Sequence, residues 1–317
     1  MKKIVIFGGG SGLSQLLKGI KLFPVEITAV VSVADNGGST GLLRRELKIP
    51  AVGDITKVML SMADTNQDVM DLMNYRFTKS KTLGIHSVKN LLLIALMDLK
   101  GSFANAMPVM EKILDVKGNV LPLTEDNVNL VGITTNGKKV VGEYQLTKCA
   151  SKIVEVKYDK DINVNPKVIK AVNEADLIVF SSGSLLTSVV PHLIDKGLVN
   201  IINKAKAEKV YICNLFTQPG ETDDFTVKDH IDYIEKYLGK GNLDVVIANN
   251  EIISSDLAEK YATEEQKDPV ILDMHELVDS DIYVIQDKLF TIEDGWYRHD
   301  ALKTGYLLFS YLMDGRK

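Results

Sequence analysis

The sequence predicts an α/β fold in which helices cover both faces of a mostly parallel β-sheet. Short β-branched apolar runs, typical of strands buried on both faces, alternate along the chain with helical periodicities. Glycine-rich segments follow several of these runs directly, as in folds that bind ligands at strand ends. The chain has 317 residues, of which 45% are hydrophobic, and this is enough for a large buried core.

The first part of the chain forms a strand–loop–helix–strand unit. Lys3–Phe7 is typical of a buried strand, and apolar residues then recur with helical spacing from Leu13 to Ile20. Pro24 ends this helix, and the β-branched run Glu26–Ala34 indicates a second buried strand. The unit has the proportions of half of a Rossmann-like fold.

The middle of the chain changes character. A helix is predicted after Asp54, with Asp54 as its N-cap, and the almost entirely apolar segment Ile85–Leu99 indicates a buried helix. Ala104–Leu114 predicts a further helix. Residues from about 119 to about 160 predict a small β-rich insert, because an Asn136–Gly137 turn separates two alternating runs.

The alternation of strands and helices then resumes. A helix follows Pro166, and buried strands are predicted at Ala175–Phe180, Lys209–Leu215 and Leu243–Asn249. The last part of the chain gives no clear pattern. We therefore predict a single domain spanning residues 1–317, a Rossmann-like three-layer α/β/α fold with a mostly parallel sheet and the small insert.

Composition and charge exclude several classes of function. The net charge of −5 provides no basic surface for DNA or RNA. No apolar run reaches the length of a membrane span, and the N-terminal region lacks the long apolar stretch of a signal peptide. Cys149 and Cys213 lie far apart, without the spacing of metal ligands. We expect a cytoplasmic protein that binds neither nucleic acid nor the membrane interior.

The first candidate loop is Gly8–Ser14. A helix N-terminus offers N–H groups and a partial positive charge, and glycines let a phosphate approach the backbone. The match to G-x-G-x-x-G is imperfect because Leu13 occupies the third glycine position, and the lysine of a nucleotide-hydrolysing P-loop is absent. The pattern favours phosphate binding, with a tight turn as the alternative.

The second candidate loop begins at Asp35, near where dinucleotide-binding folds place an acid on a ribose hydroxyl. The following segment, Gly37–Gly41, indicates a flexible loop that binds a polyanion or covers a substrate, with a solvent loop and an Asx-turn at Asp35 as the alternative. Arginine is rare in this chain, so the adjacent pair Arg44 and Arg45 is unusual. The pair predicts either a phosphate contact or a solvated helix face.

Three further loops carry polar residues. In Pro50–Lys57, Asp54 predicts a helix cap, with a metal or hydroxyl contact as the alternative. Ser181–Leu193 offers hydroxyls and a glycine for an anion, and Cys213–His230 has polar side chains suited to a base, a sugar or a metal. His86, at the start of an apolar helix, is more typical of a structural histidine than of a catalyst.

Taken together, the segments GGGSGLSQLLKGIK, VSVADNGGSTGLLRRE, VGDITKVML, HSVKNLLLIAL, SSGSLLTSVVPHL and CNLFTQPGET resemble the YvcK/CofD-like family. Members of this family include gluconeogenesis factors and 2-phospho-L-lactate transferases. The resemblance extends from Ile4 to about Asn250 and is closest to the gluconeogenesis-factor branch, because of TQPGET and the Gly-Gly-Ser loop.

The resemblance implies a Rossmann-like fold that binds a small-molecule nucleotide diphosphate at the strand ends. For the gluconeogenesis-factor branch the implied ligand is a UDP-sugar such as UDP-N-acetylglucosamine, with NAD or GDP as alternatives. The implied role is support of cell shape and envelope synthesis during growth on gluconeogenic carbon sources. In the transferase branch the same scaffold uses Mg²⁺ to transfer a phospholactyl group from a guanosine diphosphate species onto a deazaflavin. A homodimer is left open.

The resemblance also implies which residues contact the nucleotide. They are Gly8, Gly9, Gly10, Ser11, Gly12, Asp35, Asn36, Gly37, Gly38, Ser39, Gly53, Asp54, His86, Ser87, Asn90, Gly183, Ser184, Thr187, Ser188, Asn214, Thr217, Gln218, Gly220, Glu221 and Thr222, with Asp35 as the metal ligand if Mg²⁺ binds.

Three positions depart from the family pattern. Asn36 stands where a second aspartate is common, Lys89 replaces a glycine, and Ser181-Ser182 replace a Gly-Pro pair. The departure at Asn36 weakens the metal site. Binding without turnover and phosphotransfer therefore both stay open as functions.

Overall fold

The computed structural model of the chain describes residues 1–149, 151–278, 280–293 and 295–315. Its strands, in chain order, are β1 (Lys2–Gly8), β2 (Val25–Val31), β3 (Asn119–Pro122), β4 (Leu130–Thr134), β5 (Lys139–Val141), β6 (Ile153–Tyr158), β7 (Leu177–Phe180), β8 (Glu208–Ile212), β9 (Val245–Asn249), β10 (Tyr283–Asp287), β11 (Phe290–Glu293) and β12 (Trp296–His299). Its α-helices are α1 (Gly10–Ile20), α2 (Gly38–Leu47), α3 (Gly53–Met62), α4 (Gln67–Asn74), α5 (Val88–Lys100), α6 (Phe103–Leu114), α7 (Glu143–Leu146), α8 (Pro166–Glu174), α9 (Lys196–Lys204), α10 (Val227–Leu238), α11 (Ser255–Glu265), α12 (Met274–Leu277) and α13 (Ala301–Asp314).

The main sheet confirms the predicted α/β architecture. Within the described residues it contains seven strands in the order β10-β9-β8-β7-β1-β2-β3, and each neighbouring pair is parallel. The chain moves outward from β1 to β2 and later returns to the other side of β1 with β7. This reversal is the topological switch point at which sheets of this kind bind ligands.

Both faces of the sheet are buried, as the β-branched runs predict. Along β1, Ile4 and Ile6 belong to one core cluster, whereas Val5 and Phe7 belong to the other. The first cluster includes residues of α1, α3, α6 and α13, and the second includes residues of α8, α9 and α10. Because alternate side chains of a strand point to opposite faces, these clusters are the two interlayer cores.

The predicted insert begins too early. Asn119–Pro122 pairs in parallel with β2 and is an edge strand of the main sheet, because its backbone completes the ladder beside β2. The antiparallel sheet itself has the order β5-β4-β6 and starts at Leu130. Its hairpin turns at Asn136–Gly137, as the sequence predicts.

Three predictions about helices are wrong in detail. Helix α3 begins at Gly53 with Val52 as its N-cap, so Asp54 lies in the first turn and does not cap it. The Gly-Gly-Ser segment is the start of helix α2, not a flexible loop. Helix α5 buries only Asn90, Leu93 and Leu96, because it packs in an outer layer against α4 and α6, with one face toward solvent.

The C-terminal part, which the sequence leaves unassigned, completes the fold. It supplies β10 to the sheet edge, the β11–β12 hairpin and α13, which packs along α1. The two helices approach at glycine: a Cβ on Gly19 would lie 1.7 Å from the carbonyl oxygen of Ala301. Backbone therefore packs directly on backbone at this contact.

No single helix within the described residues is both long and apolar enough to cross a membrane. Leu185–Leu193 and Lys196–Lys204 meet that test only when taken together across a 75° bend.

We expect Gly19→Ala to destabilise the protein by about 1–3 kcal/mol, even though alanine favours helices, because the new methyl group would overlap the Ala301 carbonyl. Urea unfolding would measure the change. The exposed neighbour on the same helix, Lys18→Ala, is the control and should change stability little. A Gly19→Ala variant as stable as the parent would contradict the close packing of α1 on α13.

Candidate functional site

The loops after β1 and β7 meet at the switch point. A Cβ on Gly12 would lie 1.9 Å from the carbonyl oxygen of Ser182, and one on Gly8 would lie 2.0 Å from the Ser181 hydroxyl. These two glycines therefore allow the two loops to touch. Buried His192 adds a second connection, since its Nε2 lies 3.0 Å from the carbonyl oxygen of Gly8 and must donate to it.

The start of α1 already holds a carboxylate. Asp54 accepts a hydrogen bond from the backbone N–H of Gly10, and its Oδ2 lies 3.3 Å from where a Cβ on Gly9 would be. A phosphate on this helix would therefore contact the side of the loop formed by Ser11 and Gly12. There the Nζ of Lys57 donates to the Ser11 hydroxyl over 2.6 Å.

Asp35 forms the Asx-turn that the sequence offers as an alternative. Its Oδ1 accepts from the backbone N–H of Gly37 over 2.8 Å, and its Oδ2 lies near Gly53. Arg44 is neither a phosphate contact nor part of a solvated face. It is 5% exposed and donates to the carbonyl oxygens of Asp35 and Val128, so it ties this loop to the start of the insert.

Asn36 connects the β2 loop to the insert. Its Oδ1 accepts from the backbone N–H of Tyr144 over 2.9 Å, and its Nδ2 donates to Oε1 of Gln145 over 3.1 Å. These bonds dock helix α7 against the loop and bring Glu143 close to Asp35 and Thr187. The sequence analysis missed Glu143, because no local pattern distinguishes it from other acidic residues of the insert.

A chain of hydrogen bonds joins α2, α3 and α5 beside this loop. Nδ1 of His86 lies 2.8 Å from the Ser39 hydroxyl, and Asn90 donates to the same hydroxyl over 3.3 Å. The Thr56 hydroxyl in turn donates to Oδ1 of Asn90 over 2.7 Å. Ser87 is buried, and its hydroxyl has no hydrogen-bond partner among the described residues. His86 and Asn90 therefore fix the relative positions of the three helices, and Gly38 begins α2 among them.

Internal hydrogen bonds hold the loops after β7 and β8 together. The side chain of Asn214 bonds to both backbone groups of Gly183: its Oδ1 accepts from the Gly183 N–H over 2.9 Å, and its Nδ2 donates to the Gly183 carbonyl oxygen over 2.8 Å. Nearly buried Glu221 accepts from the Ser184 hydroxyl over 2.6 Å, and Thr187 donates to that hydroxyl over 2.7 Å.

The remaining predicted residues of these two loops have similar roles. Thr222 accepts from the backbone N–H of Gln218 over 2.9 Å, and Thr217 accepts from the backbone N–H of Asp268 over the same distance. Gly220 lies against the Cys149 carbonyl, and Ser188 lies beside Gly9. The side-chain oxygen of Gln218, by contrast, is buried and has no hydrogen-bond partner among the residues described.

A cavity of about 420 Å³ opens beside these loops, and we call it the switch-point cavity. Of the predicted residues, those that line it are Ser11, Gly12, Gly183, Asn214, Thr217 and Gln218. Several of its other lining residues come from α1, α3, the loop after β8 and the C-terminal part: Lys18, Lys57, Phe216, Tyr261, Lys267, Glu293, Tyr297, Arg298 and His299.

The walls of the switch-point cavity combine apolar, cationic and unpaired polar groups. The rings of Phe216 and Tyr261 stack in parallel with centroids 4.0 Å apart and form an apolar wall. Both ring nitrogens of His299 are buried without hydrogen-bond partners in the described part of the chain. Burial lowers the pKa of this histidine to about 4, so the ring is neutral at pH 7. The C-terminal lining residues escaped the sequence analysis because hundreds of positions separate them from the glycine loops.

Carboxylates gather on the other side of the β1 loop. Burial, and next the charge of Asp35, raise the pKa of Asp54 to about 6. Burial, followed by the charges of Asp35 and Asp54, raises the pKa of Glu143 to about 7. Within the described ranges, no three His, Cys, Asp or Glu side chains converge in a geometry that could hold a metal ion. Mg²⁺ at Asp35 stays a prediction.

The fold and the cavity define a Rossmann-like α/β protein with a cavity at the switch point of its sheet. The profile of the family 2-phospho-L-lactate transferase CofD matches residues 4–290. The chain belongs to the CofD family, as the sequence resemblance predicts.

Relatives and solved structures agree with this assignment. The chain is 41% identical over 313 residues to the gluconeogenesis factor of Bacillus subtilis (strain 168), covering 98% of both chains. It is 41% identical over 303 residues to the gluconeogenesis factor of Halalkalibacterium halodurans, covering 95% of this chain and 94% of the relative. A crystal structure of a UPF0052 family member from Bacillus halodurans superposes with a TM-score of 0.93 at 40% identity, covering 97% of this chain and 99% of the other.

We expect Glu143→Gln to stabilise the protein at pH 8 by about 1–2 kcal/mol, after allowance for partial exposure. The raised pKa means that the folded state disfavours the ionised carboxylate. This penalty is full above the folded pKa of about 7 and disappears below the ordinary value of 4.5, so the advantage of the variant should vanish between those pH values. Urea unfolding at several pH values measures it.

The control for this experiment is Glu264→Gln, which removes an exposed carboxylate on α11. It should leave stability unchanged at every pH. A Glu143→Gln variant with no advantage at pH 8 would show that the insert does not confine Glu143 beside Asp35 and Asp54.

Proposed function

We propose that this protein binds a nucleoside diphosphate sugar, with a UDP-sugar as the ligand, in the switch-point cavity. The observation that carries the proposal is the cavity itself, at the carboxyl ends of β1, β7 and β8. Its volume of about 420 Å³ falls within the usual range of small-molecule sites. The relatives named gluconeogenesis factor support a role in growth on gluconeogenic carbon sources, and we extend the proposal to the maintenance of cell shape under those conditions.

The charges of the cavity support a diphosphate at one end. Ser11 and Gly12 lie near the start of α1, whose N-terminus attracts anions. Lys57 contacts Ser11, and Lys18 and Arg298 line the same cavity. The diphosphate would contact these groups and leave Asp54 on the far side of the loop.

The other end of the cavity suits a heterocyclic base. Phe216 and Tyr261 supply an apolar wall, and stacked aromatic side chains are common beside planar ligands. His299 and Gln218 each have a buried polar atom without a partner, and a base edge would satisfy such atoms. This arrangement supports a nucleotide over a simple sugar phosphate as the ligand.

The proposal predicts tight binding of UDP-N-acetylglucosamine without a metal. Calorimetric titration with UDP-N-acetylglucosamine, GDP, GTP and NAD, with and without Mg²⁺, tests it. Lys57→Gln should weaken UDP-N-acetylglucosamine binding about tenfold or more, because it removes a charged donor beside the diphosphate. Exposed Lys79→Gln is the matched control. Preferential Mg²⁺-dependent binding of guanine nucleotides would overturn the UDP-sugar proposal.

A second candidate function is phosphotransfer of the 2-phospho-L-lactate transferase type, favoured by the family profile and by the carboxylates of Asp35 and Asp54. Mg²⁺ is commonly held by one or two carboxylates together with substrate phosphates, so these residues fit it. The ion would neutralise phosphate charge, and Asp35 and Asp54 would hold it beside the β1 loop.

The two candidates predict different results for Asp35→Ala. If Mg²⁺ accompanies the ligand, this variant should abolish the dependence of binding on Mg²⁺ and weaken binding at least tenfold. If the UDP-sugar binds in the switch-point cavity without a metal, Asp35→Ala should change its affinity little, with or without Mg²⁺, because Asp35 does not line that cavity. Calorimetry of Asp35→Ala beside Asp64→Ala, an exposed aspartate, distinguishes them. Unchanged affinity in Asp35→Ala would place the ligand away from the β2 loop.

A further inference from the structure

Three cationic side chains lie close together where α3 meets the start of α5. They are Lys57, Arg76 and Lys89, and we call them the α3–α5 cation cluster. A hydrogen bond of 2.7 Å between Thr56 and Asn90 joins the two helices. Lys57 directly follows Thr56 in the chain, and Lys89 directly precedes Asn90. Burial, and next the charges of Lys57 and Arg76, lower the pKa of Lys89, so the three charges act on one another.

The partners of the cluster within the described chain are neutral. Lys57 donates to the Ser11 hydroxyl over 2.6 Å, Lys89 donates to Oδ1 of Asn74 over 2.7 Å, and Arg76 donates to a backbone carbonyl oxygen. In residues 1–149, 151–278, 280–293 and 295–315, none of the three forms an ion pair within 4.0 Å. The charge of Lys57 acts on Asp54, three residues earlier on α3, without forming an ion pair with it in the described part of the chain. The fold therefore concentrates positive charge here that is only partly balanced, by Asp54 beside Lys57.

A buried hydroxyl without a partner lies at the same place. Ser87 is the N-cap of α5, a helix of 13 residues, and its side chain does not cap the helix. It is 2% exposed, and its Oγ forms no hydrogen bond with any residue that the structure describes. A buried hydroxyl usually has a partner, and a helix N-terminus attracts negative charge. The hydroxyl, the helix start and the three cations all suit one anionic group.

We propose that the α3–α5 cation cluster is a second anion subsite, which binds a carboxylate carried by the sugar of the nucleotide sugar. This inference rests on the proposed function, because Lys57 connects the subsite to Ser11 and so to the diphosphate end of the switch-point cavity. The distal part of a ligand held there extends toward Lys89.

The subsite makes the protein selective for acidic sugars. UDP-glucuronate and UDP-glucose form a matched pair, because they differ only in a carboxylate or a hydroxymethyl group at one sugar carbon. We expect calorimetry to show that the parent protein binds UDP-glucuronate roughly tenfold more tightly, the usual effect of one charge-assisted hydrogen bond.

Lys89→Gln tests the assignment directly. It should bring the two affinities within about twofold of each other and leave UDP-glucose binding unchanged, whereas Lys89→Arg should keep the preference. Lys100→Gln, at the other end of α5, is the control and should behave as the parent. Removal of a charge that its neighbours repel should not impair folding, and a thermal melt of each variant checks this.

The outcomes separate the subsite from the function on which it rests. Equal affinity of the parent for the two sugars, or an unchanged preference in Lys89→Gln, would overturn the subsite and leave nucleotide-sugar binding intact. Failure of both sugars to bind the parent protein would overturn the proposed function, and this inference with it.

Discussion

The contact between the loops after β1 and β7 is the constraint on which the rest of the site depends. Gly8 and Gly12 have no side chains to separate these loops, so Ser181 and Ser182 lie directly against them. The neutral imidazole of His192 donates a hydrogen bond to the carbonyl oxygen of Gly8 and so holds the same loop. Any side chain at Gly12 would force the two central strands apart at their ligand-binding ends. The glycines therefore serve the packing of the switch point as well as the approach of a ligand.

The contact divides the charges of the site into two regions. On one side, the α2 and insert side, burial and then the charge of Asp35 raise the pKa of Asp54, and burial followed by the charges of Asp35 and Asp54 raises the pKa of Glu143. On the other, Lys57 and Arg298 border the switch-point cavity. Lys57 and Asp54 interact within α3 but form no ion pair in the described residues, so both charges stay available for a ligand. A diphosphate suits the cationic region, and the carboxylates suit a metal or a sugar hydroxyl.

Several residues that resemble ligand contacts have structural partners. Asn36 holds the insert, Ser184 and Thr187 hold Glu221, and Asn214 holds Gly183. Such bonds keep polar loops rigid at a sheet edge where backbone alone would be mobile. Position 36 thus has a use that does not require a metal: its amide donates and accepts at once, which a carboxylate at the same place could not do.

The sequence by itself determined the layers, the parallel order of β1 and β2 and the edge at which the glycine loops meet. Local patterns suffice for this, because a β-branched run buries on both faces and parallel strands end at one edge. The tertiary structure alone decided that Glu143 faces Asp54, that His299 and Arg298 line the cavity and that Arg44 is buried. These contacts join segments far apart in the chain, so their geometry depends on packing and leaves no local periodicity to detect. For the same reason, the sequence around Asp54 predicts a helix N-cap, whereas in the structure Asp54 accepts a hydrogen bond from the backbone N–H of Gly10 at the start of α1.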